Sequence, residues 1–179
     1  LYARNCNYLE GYPLQRIVRG MAHALRRFQQ NNKIGRVEKN VAHHYDLGND
    51  FYKLFLDTDM QYSCAVFEHE SDTLEQAQRN KKRLIAWKLN LKPGDKILDI
   101  DNGWGGLGLY LAALEDVDVL GVTLSTEQCA LANDQARIMG RSDRVRFELR
   151  DYRNLDEKFD SIVSVGMFEH VGVRHYPEI

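Results

Sequence analysis

The stretch KILDIDNGWGGLGLYLA (residues 96–112) places Gly103, Gly105 and Gly106 between an apolar run and a helical pattern. Glycines at such a junction let backbone approach a ligand without Cβ obstruction, and they turn helix N–H groups towards it. Nucleotide-type cofactors are often held this way. Asp101 and Asn102 stand where a turn of this kind usually has its first small residue. The loop therefore reads as a cofactor loop, an impaired one, or an ordinary turn. Its spacing is not GxGxxG, and the next apolar run ends in Thr123 with no acid to take a ribose 2′-hydroxyl, which argues against a dinucleotide. GVTLSTEQ instead offers Thr123, Ser125 and Gln128 as neutral polar partners. RDYRNL puts Asp151 and Tyr152 at the rim, suited to a purine amine and ring face.

These residues need elements to position them, and the hydrophobic pattern supplies an alternation. KILDI, VDVLGVTL, RVRFELRD and FDSIVSVGMFEH read as strands, the first three separated by the helical segments GGLGLYLAALE and STEQCALANDQARIMG, the latter capped by Ser125. Near-continuous apolar strands between helices predict a parallel sheet covered on both faces, the first half of a doubly wound α/β fold. Ligands in such sheets bind at the carboxyl ends of the strands, which is where the glycine loop falls. Upstream, Ser71–Leu91 predicts a long helix, opened by a capping box of Thr73 and Gln76, with Leu74, Ala77, Lys81, Leu84, Ile85 and Leu89 as its inner stripe. A short helix is expected over DFYKLFL, capped by Asn49 or Asp50. The expected organisation is a basic helical arm and linker over 1–40, a helical lid segment over 41–92, and half of a Rossmann-like domain over 93–179. The early stop after strand four suggests part of a longer protein.

Composition narrows the classes. At 44% hydrophobic and 28% charged residues the chain is globular. No apolar run is long enough to span a bilayer. Cys6, Cys64 and Cys129 form no CxxC pair, which argues against zinc or a disulfide framework and favours a reducing cytosol. Residues 1–44 carry eight Lys/Arg against Glu10 and Glu38, a net of +6, leaving −8 for the rest. A basic arm on an acidic body suits an anionic partner, and LQRIVRGMAHALRRFQQ (14–30) has the apolar face to lie on a phospholipid surface. The same pattern also suits a helix packed on its own domain. The basic residues lack a nucleic-acid reading motif, so no nucleic acid is expected.

Taken together, HHYDLGNDFYKLFLD, MQYSCAVF, LKPGDKILDI, GWGGL, GVTLSTEQ and DYRNLDEKFDSIVSVGMFEHVG resemble the cyclopropane-fatty-acyl-phospholipid synthases, including the mycolic acid cyclopropane synthases. The resemblance runs from about residue 41 to 172. It implies a class I S-adenosylmethionine-dependent methyltransferase fold and methylene transfer to cis double bonds of unsaturated phospholipid acyl chains. It further implies a cytoplasmic enzyme peripheral to the inner membrane, with a homodimer among the assemblies left open. By resemblance Tyr62 and Ser63 are cofactor contacts beside the sulfonium, Gly103 lies in the methionine-binding turn, Thr123, Leu124, Ser125 and Gln128 match ribose-side contacts, and Asp151 and Tyr152 match the adenine side. Cys64 and Glu169 correspond to positions that help hold a bicarbonate ion, the base expected to remove a proton on ring closure. His44 and His170 match motif members without an assignable role. Tyr45, Phe51, Tyr52, Phe55, Tyr62, Phe67 and Phe168 are candidate rings to face a carbocation, or simply core. No metal is expected.

The chain departs from the family pattern at one place that matters. The family has LDIGCGWGG where this sequence has LDIDNGWGG, so Asp101 replaces a glycine beside the cofactor's methionine end. Two unit charges at ~4 Å repel by ~1 kcal/mol in water and ~4 kcal/mol at an effective dielectric of 20. Affinity would fall accordingly, and Asp101 adds modest strain if its φ is positive. Other readings are a relative that stops at methyl addition or acts on a small molecule, and an impaired lipid-binding remnant.

Overall fold

The structure, a computed structural model, describes residues 49–171 and residue 176, with the side chains of Glu169 and His170 outside that description. The basic arm, the helix expected over 14–30, His44 and Tyr45 lie outside the described residues. A one-turn helix α1 (Asn49–Tyr52) is followed by an irregular segment and then by α2 (Leu74–Leu89). The alternating part runs β1 (Lys96–Ile100), α3 (Gly106–Leu114), β2 (Asp118–Thr123), α4 (Thr126–Ile138), β3 (Val145–Leu149), a 3₁₀ turn (Tyr152–Asn154), β4 (Ser161–Ser164) and α5 (Phe168–Val171).

The four strands form one parallel sheet in the order β3-β2-β1-β4. Ile97 faces Val119 on one side and Ser161 on the other, and Val119 in turn pairs with Val145. The chain therefore steps outwards from β1 to β3, then crosses back to lay β4 on the other side of β1. That reversal leaves a crevice beyond the carboxyl ends of β1 and β4, the place where open α/β sheets take ligands.

Alternation along the strands sorts the core. Ile97, Val119, Val145, Phe147 and Val163 pack with Leu107 and Leu111 of α3 and with Ala132 and Ala136 of α4. Leu98, Ile100, Leu120 and Val122 point to the other face, where Tyr152, Leu155, Phe159 and Met167 pack on them. Period-two burial with apolar residues on both faces is what a doubly covered parallel sheet requires.

Helix α2 starts as its cap residues dictate. Thr73 Oγ1 accepts from the backbone N–H of Gln76 at 3.2 Å, and the Gln76 side-chain Nε2 donates onward to Asn80 Oδ1 at 3.0 Å. The stripe it buries differs from the expected one. Ala77 and Lys81 are buried, yet Leu84 is exposed, and Gln78, Asn80 and Lys82 are buried in its stead. The reason is that the N-terminal half of α2 packs on backbone of the segment before it, which presents polar atoms to be satisfied. No described helix is long and apolar enough to cross a membrane.

Candidate functional site

A cleft of about 330 Å³ opens at the strand reversal, lined by the β1 exit (Asp99, Asp101, Asn102, Gly103, Trp104), by residues 60–64, by Gln128 and by Val165 and Gly166 after β4. That volume falls within the ~300–1,000 Å³ of small-molecule sites. Gly103 has φ +55, and a Cβ built on it would meet nothing within 4 Å, so its bare Cα faces open space in the cleft wall. Asp101 has φ +61, the left-handed conformation that the family's glycine would adopt without strain.

The electrostatics of this wall are unusual. Asp99 is 2% exposed and its Oδ2 has no hydrogen-bond partner among the described residues. Burial, reinforced by the neighbouring Asp101 carboxylate, pushes Asp99 up to about 8. Asn102 is also buried. Its amide nitrogen donates to the Gly103 carbonyl at 2.9 Å, leaving Oδ1 without a partner among the described residues. Two unsatisfied acceptors in one wall cost free energy unless a ligand supplies donors. A cationic donor such as an ammonium group matches them.

The facing segment is held by a dense polar frame. Asp57 Oδ1 accepts from the Gln61 N–H at 2.7 Å, and the Asp57 carbonyl accepts from the Met60 N–H at 2.8 Å. From α2, Gln78 Nε2 donates to the carbonyls of Gln61 (3.2 Å) and Ser63 (2.9 Å), and Lys81 Nζ donates to Ser63 Oγ at 2.7 Å. Lys82 pairs with Asp59 and lies 5.2 Å from the Tyr110 ring centroid. A Cβ on Gly106 would fall 2.8 Å from the Asp59 carbonyl, so only glycine allows α3 to meet this segment. Tyr52, Met60 and Trp104 form a small apolar cluster beneath it, with Trp104 Nε1 donating to Asn49 Oδ1 at 2.7 Å.

Of the residues expected to form the site, the cleft gathers Tyr62, Ser63, Cys64, Asp101, Gly103 and Gln128. Cys64 is exposed, not a buried small apolar residue. Thr123, Leu124, Ser125, Asp151 and Tyr152 are not in its lining. Thr123 Oγ1 donates to Gln128 Oε1 at 2.9 Å, which leaves the Gln128 amide nitrogen as the end free to donate. Ser125 caps α4, accepting from the Gln128 N–H at 3.3 Å. Asp151 grips its neighbour, with Arg153 Nε donating to Oδ1 and Oδ2 at 2.9 and 3.1 Å, and that guanidinium holds its carboxyl below the usual range. Tyr152 packs on the sheet. Glu169 lies on α5 near the mouth of β4 in sequence, its side chain outside the described residues. Among the candidate rings Tyr52 is core, whereas Phe51, Phe55, Tyr62, Phe67 and Phe168 are all more than 40% exposed. Sequence reasoning missed Asp99, Asn102 as a site acceptor, Lys81 and Gln78. For Asp99 a signal existed: it is an acid inside an otherwise apolar strand.

The chain spans about a third of the length of the first curated relatives it matches. The cyclopropane-fatty-acyl-phospholipid synthase of Escherichia coli K12 is 51% identical over 133 residues, covering 74% of this chain and 34% of that protein. Among solved structures, the cyclopropane synthase MmaA2 of Mycobacterium tuberculosis superposes with a TM-score of 0.75 at 42% identity, over 79% of this chain and 50% of that one. The mycolic acid cyclopropane synthase CmaA1, solved with S-adenosylhomocysteine (SAH) and CTAB, gives a TM-score of 0.72 at 40% identity, over 79% of this chain and 50% of that one. The family model for mycolic acid cyclopropane synthetase matches residues 32–179, and the chain belongs to that family.

Proposed function

We propose that this chain builds the cofactor-binding part of an S-adenosylmethionine-dependent enzyme that transfers a methylene group to cis double bonds of unsaturated phospholipid acyl chains. The observation that carries the reading is the cleft wall at the β1 exit. The bare Gly103 and the unsatisfied acceptors of Asp99 and Asn102 suit the amino-acid end of that cofactor, in a chain of this family. When bound, the cofactor supplies an activated methyl on a sulfonium. Asp99 and Asn102 would accept from its ammonium, Gln128 with Thr123, Leu124 and Ser125 would serve the ribose side, and Asp151 with Tyr152 the adenine side. Tyr62 and Ser63 would flank the sulfonium end. Cys64 and Glu169 would hold a bicarbonate ion as the base for ring closure.

An alkene is a weak nucleophile, so alignment is most of what the protein can contribute, up to ~7–11 kcal/mol in favourable cases. The exposed rings of Phe55, Tyr62 and Phe67, with Leu56 and Leu74, border a second, apolar hollow that shares Tyr62 and Ser63 with the cleft. That hollow suits an acyl chain brought alongside the cofactor. The basic residues 16–27 would hold the enzyme on anionic phospholipid. Incubating the protein with labelled S-adenosylmethionine and monounsaturated phospholipid, then weighing the acyl products, tests the reading. A gain of one CH₂ with loss of the double bond is expected; a methyl-branched product would place the protein with relatives that stop before ring closure. A specific observation favours an impaired variant as the second reading, namely Asp101 in the left-handed conformation beside Asp99.

A further inference from the structure

Lys81 is an odd residue to find inside a helix–loop contact. It is 6% exposed, and its only hydrogen bond among the described residues is to the neutral hydroxyl of Ser63. A buried ammonium with one neutral partner is costly, and a leucine or methionine would fill the position at lower cost. The neighbouring Lys82 differs, because Asp59 neutralises it. Lys81 therefore calls for a reason other than packing.

The chemistry of the contact supplies one. An ammonium has three donors and no acceptor, so the bond runs from Nζ to Oγ in one direction only. The single hydroxyl hydrogen of Ser63 must then point away from Lys81. The Ser63 carbonyl is already taken by Gln78, and Ser63 lines the cleft. The amino-acid end of the proposed cofactor is a zwitterion. Asp99 and Asn102 supply acceptors for its ammonium, and the Asp101 carboxylate repels its carboxylate. That carboxylate needs a donor with positive charge behind it.

We propose that Lys81 is a positioning residue that turns Ser63 into a hydrogen-bond donor for the carboxylate of the bound cofactor. This rests on the cofactor reading above. Burial pulls Lys81 down to about 8, with the Asp57 carboxylate and Cys64 opposing and Lys82 adding to the shift. Once neutral, the amine accepts from Ser63 and the hydroxyl hydrogen turns inward. Carboxylate recognition is then lost as pH rises through that value. Asp57, Cys64 and Lys82 act on the same ammonium, Asp59 pairs with Lys82, and Asp99 and Asp101 line the cleft, so the pH effect must be read against a variant lacking only the Ser63 hydroxyl.

The test is calorimetric titration of the full chain with SAH and with 5′-methylthioadenosine, which lacks the amino-acid end. Lys81→Met and Ser63→Ala should each weaken SAH by roughly tenfold, as one hydrogen bond to a charged group implies. Both should leave 5′-methylthioadenosine unchanged, and the double variant should be no weaker than Ser63→Ala alone. Lys81→Arg, a donor that does not deprotonate, should retain affinity and lose the alkaline fall between pH 7 and 9, a fall that Ser63→Ala should also lack. Equal weakening of both ligands by Lys81→Met, or additive losses in the double variant, would show a merely structural lysine and overturn the proposal. If the unmodified chain bound 5′-methylthioadenosine but not SAH, the inference would fail while an adenosine site stood; binding of neither would remove the cofactor reading and the inference together.

Discussion

At the scale of single residues, Asp101 sets the state of the site. Its φ of +61 is one that Asp tolerates better than most side chains, so the substitution leaves the turn standing. Its cost is electrostatic. Burial is the main reason that Asp99, whose free oxygen most needs a cation, stays neutral; Asp101 adds to that shift and leaves a charge nearer the rim. Asp101→Gly should ease the ionisation of Asp99 without undoing the effect of its burial, and should remove repulsion on the cofactor's carboxylate. Because Asp101 is half-exposed, the effect belongs to the screened end of the range, about 5- to 10-fold tighter SAH binding at pH 7. Calorimetry on the two proteins decides this, and equal affinities would exclude it. The glycine turn and its odd acid were legible in the sequence because they are local. The roles of Lys81 and Gln78 were not, since their partners lie 15 to 18 residues upstream; Lys81 fell on the expected inner stripe with nothing local to name its partner, and Gln78 resembles an ordinary solvated position.

At the scale of elements, α2 and α4 are fixed by hydroxyl caps that the sequence announced, Thr73 and Ser125, whereas α3 starts from Gly105 without a side-chain cap. Ser125 accepts from the Gln128 N–H, and the same Gln128 accepts from Thr123, so cap and ribose-side candidate form one buried unit. Ser125→Ala should destabilise the fold by ~1 kcal/mol, and Ser125→Asp, an equally good cap, should not. Urea midpoints measured on both variants check the claim; a loss shared by Ala and Asp would mean that packing, not capping, is at stake. The inner stripe of α2 was the least legible element. Its periodicity pointed to Ala77, Lys81 and Leu84; the fold buries the first two but exposes Leu84 and buries Gln78, Asn80 and Lys82, because a non-repetitive segment must have its carbonyls and hydroxyls satisfied. Helical periodicity records which face is buried against apolar surface, and it is silent where the buried face meets backbone.

At the scale of the whole molecule, two buried titrating groups shape stability in opposite directions. Asp99 stands at about 8 in the folded chain against its ordinary 3.8, so between those values the folded state binds more protons than the unfolded one. Its contribution is complete below pH ~4 and is lost as pH rises through 8. Lys81, lowered to about 8 from 10.5, is the mirror case: from about 8 to 10.5 the unfolded state holds the extra proton, and stability rises with pH. The two effects meet near pH 8, so the protein should show a dip there, where many proteins are at their most stable. Asp99→Asn keeps the shape without the ionisation and should abolish the decline between pH 5 and 8, while Lys81→Met should abolish the recovery above it. Denaturant unfolding across pH 5–10 on the three proteins resolves the two arms separately. A ligand with an ammonium for Asp99 should fill the dip: at 100 times its dissociation constant SAH adds ~2.7 kcal/mol. If the decline between pH 5 and 8 survived in Asp99→Asn, the buried acid would not be its source. The charge assignment on which the cleft's fit to a zwitterionic cofactor depends would then have to be redrawn around Asp101 alone.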